Sequence, residues 1–225
     1  MSYIVTDIET IGGSKADLEL EGKLLKPASN IKDPAKIEKN LADKRAALAG
    51  KAALLDSAPI ACIGIKTPTV TACFTSFHFD ESPLLIQAGI ACFTSDNEKQ
   101  MLEITKEFLD TVTTPDMKMV SFNGVGFDLP KIRFRYAKHG IEPALPFGPY
   151  YKHVDLMLRY SKYYSMNKVP FVSMDEVIQR LGIADGKMMS GKYFGKLLDD
   201  GEYLKAVLYN VLDLMFIEQI LFRIG

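Results

Sequence analysis

The residues whose types and spacing could do chemistry begin with Asp7-Ile8-Glu9, two carboxylates at the end of the apolar run Tyr3-Ile4-Val5. Side chains of a β-strand alternate between its faces, so a first strand sends Asp7 and Glu9 one way and Ile8 the other. Two like charges that close repel unless a cation lies between them. Hard oxygen ligands suit Mg²⁺ or Mn²⁺ better than zinc. An exposed strand end with two solvated acids has the same sequence, so the pair takes its meaning from what accompanies it.

Two other stretches accompany it. Met117–Phe122 reads as a strand that runs into Asn123-Gly124-Val125-Gly126-Phe127-Asp128. Gly124 and Gly126 let the backbone turn sharply at the strand end, and Asp128 then falls at the start of a helix, 129–139, closed by Gly140. As a dinucleotide fingerprint the stretch is poor, because Leu129 stands where the third glycine of G-x-G-x-x-G belongs. As a way of pushing one carboxylate out of a strand-to-helix turn it is good. Near the C-terminus, Tyr209 and Asp213 are four residues apart on a long helix expected over 202–224, hence on one face. Such a pair alone is an ordinary helical neighbourhood.

The intervening elements must bring these stretches together. Residues 58–66 and 69–79 are rich in Ile, Val, Thr, Cys and Phe and break at Thr67-Pro68, which predicts a hairpin; 86–94 predicts another strand. Ser95-Asp96-Asn97-Glu98 has the form of a capping box, followed by Met101, Ile104, Phe108, Leu109 and Val112 at helical spacing, so a helix is expected over 96–112. Asp155 is placed to cap a helix that continues through Tyr160, and Ser173-Met174-Asp175-Glu176 starts another that Gly182 ends. Residues 185–195 form a small basic loop with Lys187 and Lys192. The stretch 22–56 differs from the rest: Lys, Ala, Asp and Glu dominate, Asp33-Pro34 opens a helical pattern that runs to Leu55, and its apolar face is thin. A solvated helical insertion is the plainer reading, a substrate-touching flap the other.

The chain has 225 residues, 48% apolar and 24% charged with a net charge of −1, which suits one α/β domain and excludes a globally basic nucleic-acid coat. Cys62, Cys73 and Cys92 are odd in number and lie in apolar runs, as buried thiols in a reducing compartment do. With no apolar run near the roughly 20 residues of a membrane span and no basic leader, a cytoplasmic protein is expected.

Asp7 and Glu9 after a first strand, Asp128 after Phe122-Asn123-Gly124-Val125-Gly126-Phe127, and Tyr209 with Asp213 on a late helix form an ordered set. In order and context the set resembles the DEDD superfamily of 3′-to-5′ exonucleases in its tyrosine-bearing branch (DEDDy), and so the exonuclease domain of family-B DNA polymerases and stand-alone proteins similar to it. The resemblance covers 3–222 apart from the insertion 22–56. It implies an RNase H-like fold, a central mixed sheet of five strands flanked by helices, in a single domain over 1–225 with a helical insertion after the first strand.

It further implies a metal-dependent hydrolase with two divalent cations, Mg²⁺ or Mn²⁺. Asp7, Glu9 and Asp213 would hold one, Asp7 and Asp128 the other, and Tyr209 would orient the water. The partner would be a nucleic acid with a free 3′ end, expected to be single-stranded DNA in replication, repair or recombination, with no membrane partner. Ile8, Thr10, Ile11, Asn123 and Phe127 would contact the terminal nucleotide. Lys131, Arg133, Arg135, Lys187 and Lys192 are candidates for backbone phosphates, although a solvated charged face explains them as well. An exoribonuclease of the same superfamily and a catalytically inactive nucleic-acid-binding module are the alternatives.

Overall fold

The computed structural model describes residues 2–13, 15–49, 53, 57–80, 82–165 and 171–225. They fall into two compact units, one of Met1–Glu9 with Ile60–Gly225 and one of Thr10–Pro59.

The larger unit is built on a six-stranded mixed sheet in the order β4-β3-β2-β1-β5-β6. These strands are β1 (Tyr3–Thr10, its last residue in the smaller unit), β2 (Ile60–Lys66), β3 (Thr71–Thr75), β4 (Ile90–Thr94), β5 (Lys118–Ser121) and β6 (His153–Asp155). β2 and β3 make the expected antiparallel hairpin, with Gly64 opposite Cys73, while β3–β4, β1–β5 and β5–β6 pair in parallel. The sheet thus has one strand more than the five expected. β6 is only three residues long, too short to show a period of two, and it is recruited because Val120 of β5 pairs with Val154. The expected strand over 86–94 also divides. Ser82 caps a short helix, α3 (Pro83–Gln87), Gly89 turns at φ 68°, and β4 follows.

Helices cover both faces of this sheet. On one side α4 (Glu98–Val112) and α5 (Asp128–Lys138) contribute Met101, Leu102, Leu109, Leu129, Ile132 and Tyr136 to a core that contains Ile4 and Ile8 of β1. On the other side lie α6 (Leu156–Tyr163), α7 (Met174–Arg180) and α9 (Tyr203–Ile224), whose Leu156, Val177, Leu214, Ile217 and Ile220 pack with Tyr3 and Val5. The short α8 (Phe194–Asp199) precedes α9. Even positions of β1 therefore face α4 and α5 and odd positions face α9, as the strand period requires. Layers of helix over both faces of a mixed sheet are the RNase H-like α/β architecture.

α4 does not start as its sequence suggests. Asn97 is the N-cap, accepting from Gln100 N, while Ser95 Oγ donates to Thr75 O at 2.6 Å. Glu98 turns inward instead, accepting from Ile60 N and Arg135 Nε and pairing with His139. Arg135 is thereby buried against Glu98, and Arg133 donates to the carbonyls of Phe147 and Gly148, so neither is a free phosphate ligand. No disulfide joins the cysteines, and no described helix is long and apolar enough to cross a membrane.

In the smaller unit, α1 (Lys15–Leu24) and α2 (Pro34–Ala49) pack on one another. Asp33 caps α2 through Ala35 N and Lys36 N, and Asn40 Oδ1 accepts from Ala28 N. The expected continuation of α2 to Leu55 lies outside the described residues except for Ala53, which accepts a 2.7 Å hydrogen bond from Thr10 Oγ1.

Candidate active site

Odd residues of β1 face α9, and that sets Asp7 and Glu9 opposite Asp213. One carboxylate oxygen from each of Asp7, Glu9 and Asp213 lies within 4.8 Å of the others. All three residues are at most 9% exposed. α9 approaches this closely because Gly64 of β2 has no side chain: a Cβ there would stand 2.2 Å from Asn210 Oδ1 and 2.8 Å from Leu214 Cδ1. Asn210, fully buried one helical position along, donates to Asp7 Oδ2 at 2.9 Å and so fixes the carboxylate.

Asp128 reaches the site from the first turn of α5. Its Oδ1 accepts from Ile8 N at 3.2 Å, which ties the α5 terminus to β1 between the two acids. The turn before it is tight: Asn123 has φ 63°, and a Cβ on Gly124 would stand 1.9 Å from Ser121 Oγ. Asp155 holds this turn, accepting from Asn123 N and Val125 N, and with the same carboxylate caps α6 through Met157 N and Leu158 N. Asp128 is not part of the three-oxygen cluster, although its charge raises both Asp7 and Glu9.

Burial first, and then the charge of Asp213, push the Asp7 and Glu9 carboxyls well above the ordinary range. Burial takes Asp128 up to about 7. Asp213 is raised by burial against the pull of Lys187, whose Nζ donates to Asp213 Oδ2 at 2.5 Å and to Tyr209 Oη at 2.8 Å. The Tyr209 phenol is raised by burial and by Asp213, Glu9 and Asp7, so it stays protonated and able to donate. Lys187 is held by its own backbone, since Lys187 N donates to Asp175 Oδ1 at 2.6 Å. Gly191 of the same loop leaves room beside the acids: a Cβ there would lie 3.4 Å from Tyr209 Oη and 3.7 Å from Glu9 Oε2.

A divalent cation suits this donor set. The ligands are hard oxygens, they repel one another without a cation, and the buried Asp213 Oδ1 has no hydrogen-bond partner. The Lys187 ammonium offsets one of several converging charges.

The residues expected at the terminal nucleotide belong to both units, Ile8, Asn123 and Phe127 to the larger and Thr10 and Ile11 to the smaller. The Ile8 side chain lies in the core, and what it offers here is its amide to Asp128. Thr10 is buried and bonded to Ala53, and Ile11 N donates to Pro59 O, both within the smaller unit. Asn123 and Phe127 are half-buried on the turn that leads to Asp128. Sequence reasoning missed Asn210, although its place one residue after Tyr209 on a largely apolar helix marked it, and it took Lys187 as a candidate for a backbone phosphate or a solvated face, not as a partner of Asp213 and Tyr209.

A family model described as "Predicted 3'-5' exonuclease related to the exonuclease domain of PolB" matches residues 87–217. The match takes in Asp128, Lys187, Tyr209 and Asp213, while β1 with Asp7 and Glu9 precedes it. A search of curated proteins finds no match.

Proposed function

The chain belongs to this family of predicted 3′-5′ exonucleases related to the exonuclease domain of PolB, and on that premise we propose that it is a divalent-metal-dependent enzyme of the tyrosine-bearing DEDD branch, hydrolysing single-stranded DNA from its 3′ end. The observation that carries the reading is the convergence of Asp7, Glu9 and Asp213 within 4.8 Å, buried, with one oxygen left without a partner. Asp7, Glu9 and Asp213 would hold one cation and Asp7 with Asp128 a second. Such ions would supply an activated water and would neutralise charge on the attacking and leaving oxygens of the displacement.

The protein's own groups do the rest. Tyr209, kept protonated by burial, donates a hydrogen bond that orients the attacking water. Asn210 holds Asp7, and Ile8 N holds Asp128, so neither carboxylate swings away from the phosphodiester. Lys187 carries the one ammonium seen against these oxygens among the described residues, and in the complex it can follow the scissile phosphate.

The test is degradation of 3′- and 5′-labelled single-stranded DNA and RNA with Mg²⁺, Mn²⁺ or EDTA, with Asp7→Ala as the control. Metal-dependent shortening from the 3′ end, faster on DNA and absent in the variant, is expected. Tyr209→Phe should slow turnover by roughly 10- to 100-fold and spare Mn²⁺ affinity. Shortening that persists in Asp7→Ala or in EDTA would overturn the reading, and faster loss of RNA would correct the substrate.

A further inference from the structure

Large apolar side chains exposed on a soluble protein need a reason when they gather, and they gather at α6. Tyr163, the last residue of α6, is 67% exposed and Tyr164, its C-cap, 51%, while the inner residues Leu156, Met157 and Tyr160 are buried. Arg159 and Lys162 share the outer face, and neither has an ion-pair partner among the described residues. From 156 to 174 the sequence holds three cations and no carboxylate, in a chain whose net charge is −1. The aromatics are also ordered. Tyr164 lies nearly parallel to the buried Tyr160, at 16° and 6.4 Å between centroids, and Lys162 Nζ sits 5.0 Å from the Tyr163 ring centroid.

This surface is coupled to the site through a single carboxylate. Asp155 binds the amides of Asn123 and Val125, in the turn that leads to Asp128, and those of Met157 and Leu158, in the first turn of α6. α6 starts at Asp155, whose charge is felt by Asp128, and its eight residues span about 12 Å. That is roughly the rise of three stacked nucleotides.

We propose that the outer face and C-terminal end of α6, with Arg159, Lys162, Tyr163 and Tyr164, form a stacking track for the single-stranded segment that leads into the acid cluster. The proposal rests on the exonuclease reading above. Cations along the backbone and aromatic faces for the bases are the combination that grips single strands without reading sequence. A track along a helix of this length serves a strand of several nucleotides and leaves a dinucleotide untouched.

The experiment is fluorescence anisotropy, in EDTA so that nothing is cut, with a twelve-nucleotide oligothymidylate and its abasic counterpart of equal charge. It is paired with hydrolysis of the twelve-mer and of a dinucleotide in Mn²⁺. The variant Y163S/Y164S should bind the twelve-mer at least about tenfold more weakly and lose most of the wild-type preference for bases over abasic sites. Its dinucleotide turnover should be unchanged. A second variant, R159Q/K162Q, should bind more weakly with a shallower salt dependence. Unchanged twelve-mer affinity in both variants, the result expected of a protein-facing patch, would overturn the proposal. Because binding is read without catalysis, a wild type that binds through Tyr163 and Tyr164 but never cuts would sink only the exonuclease reading. One that cuts but binds independently of these residues would sink only the track.

Discussion

Lys187 decides how the acid cluster survives without a metal. Its ammonium is within 2.5 Å of Asp213 Oδ2 and 4.7 Å of the Tyr209 ring centroid, on the ground a dication would claim. At an effective dielectric of about 20, a unit charge about 4 Å from another is worth about 4 kcal/mol, so ammonium and dication cannot share this space without cost. In Lys187→Met, Mn²⁺ should therefore bind at least about tenfold more tightly by calorimetric titration, while the metal-free protein melts at a lower temperature for want of its counter-charge. Unchanged Mn²⁺ affinity would mean that the lysine leaves the cluster freely. At this scale the sequence is readable where a role follows from local spacing: the period of a strand orients Asp7 and Glu9, and that of a helix stacks Tyr209 on Asp213. Lys187, Asn210 and Asp155 act across 22 to 203 residues of separation, and no local pattern signals that.

Between elements, the controlling contact is that of β2 with α9. Gly64 is the one position of β2 whose missing side chain lets Asn210 and Leu214 sit against the strand, and Asn210 in turn holds Asp7. Gly64→Ala should push α9 outward, because the new Cβ would stand 2.2 Å from Asn210 Oδ1 and 2.8 Å from Leu214 Cδ1 in a buried, close-packed contact. The expected result is a loss of about 1–3 kcal/mol in denaturant unfolding and a larger proportional loss of Mn²⁺ affinity, since Asp213 moves with the helix. Wild-type Mn²⁺ affinity with reduced stability would show that the cluster tolerates the shift. Long elements such as α4 and α9 are legible from their apolar periodicity alone. Their ends are not: Ser95 and Glu98 fit a capping box by type, but Ser95 serves Thr75 and Glu98 serves Arg135, leaving the cap to Asn97. The sixth strand is equally hidden, because three residues gain strand character only from the neighbour they pair with.

Across the whole molecule, two sets of buried acids have opposite pH consequences. Asp7, Glu9, Asp128 and Asp213 all have raised pKa values, Asp128 to about 7. Between the unfolded value near 4 and these folded values the native protein holds more protons than the unfolded chain, so stability falls as pH rises through that window. Glu98 is the reverse. Burial pushes it up, but Arg135, His139 and Ile60 N more than offset this, and its lowered pKa gives stability that is present above 4.5 and lost as pH falls through the folded value. His153, lowered by burial, also loses stability as pH drops through its ordinary 6.5, but it is one group against four. In EDTA the melting temperature should therefore rise as pH is lowered from about 8 to about 5.5, then fall at lower pH as Glu98 protonates. Mn²⁺ requires the ionised carboxylates, so saturating metal should flatten or invert the upper limb, most at pH 8. Melting curves at pH 4, 5.5, 7 and 8 with and without Mn²⁺ read both limbs. A metal-free melting temperature that climbs steadily from pH 5.5 to 8 would mean that the four acids ionise without penalty, and the case for a cation among them would go with it.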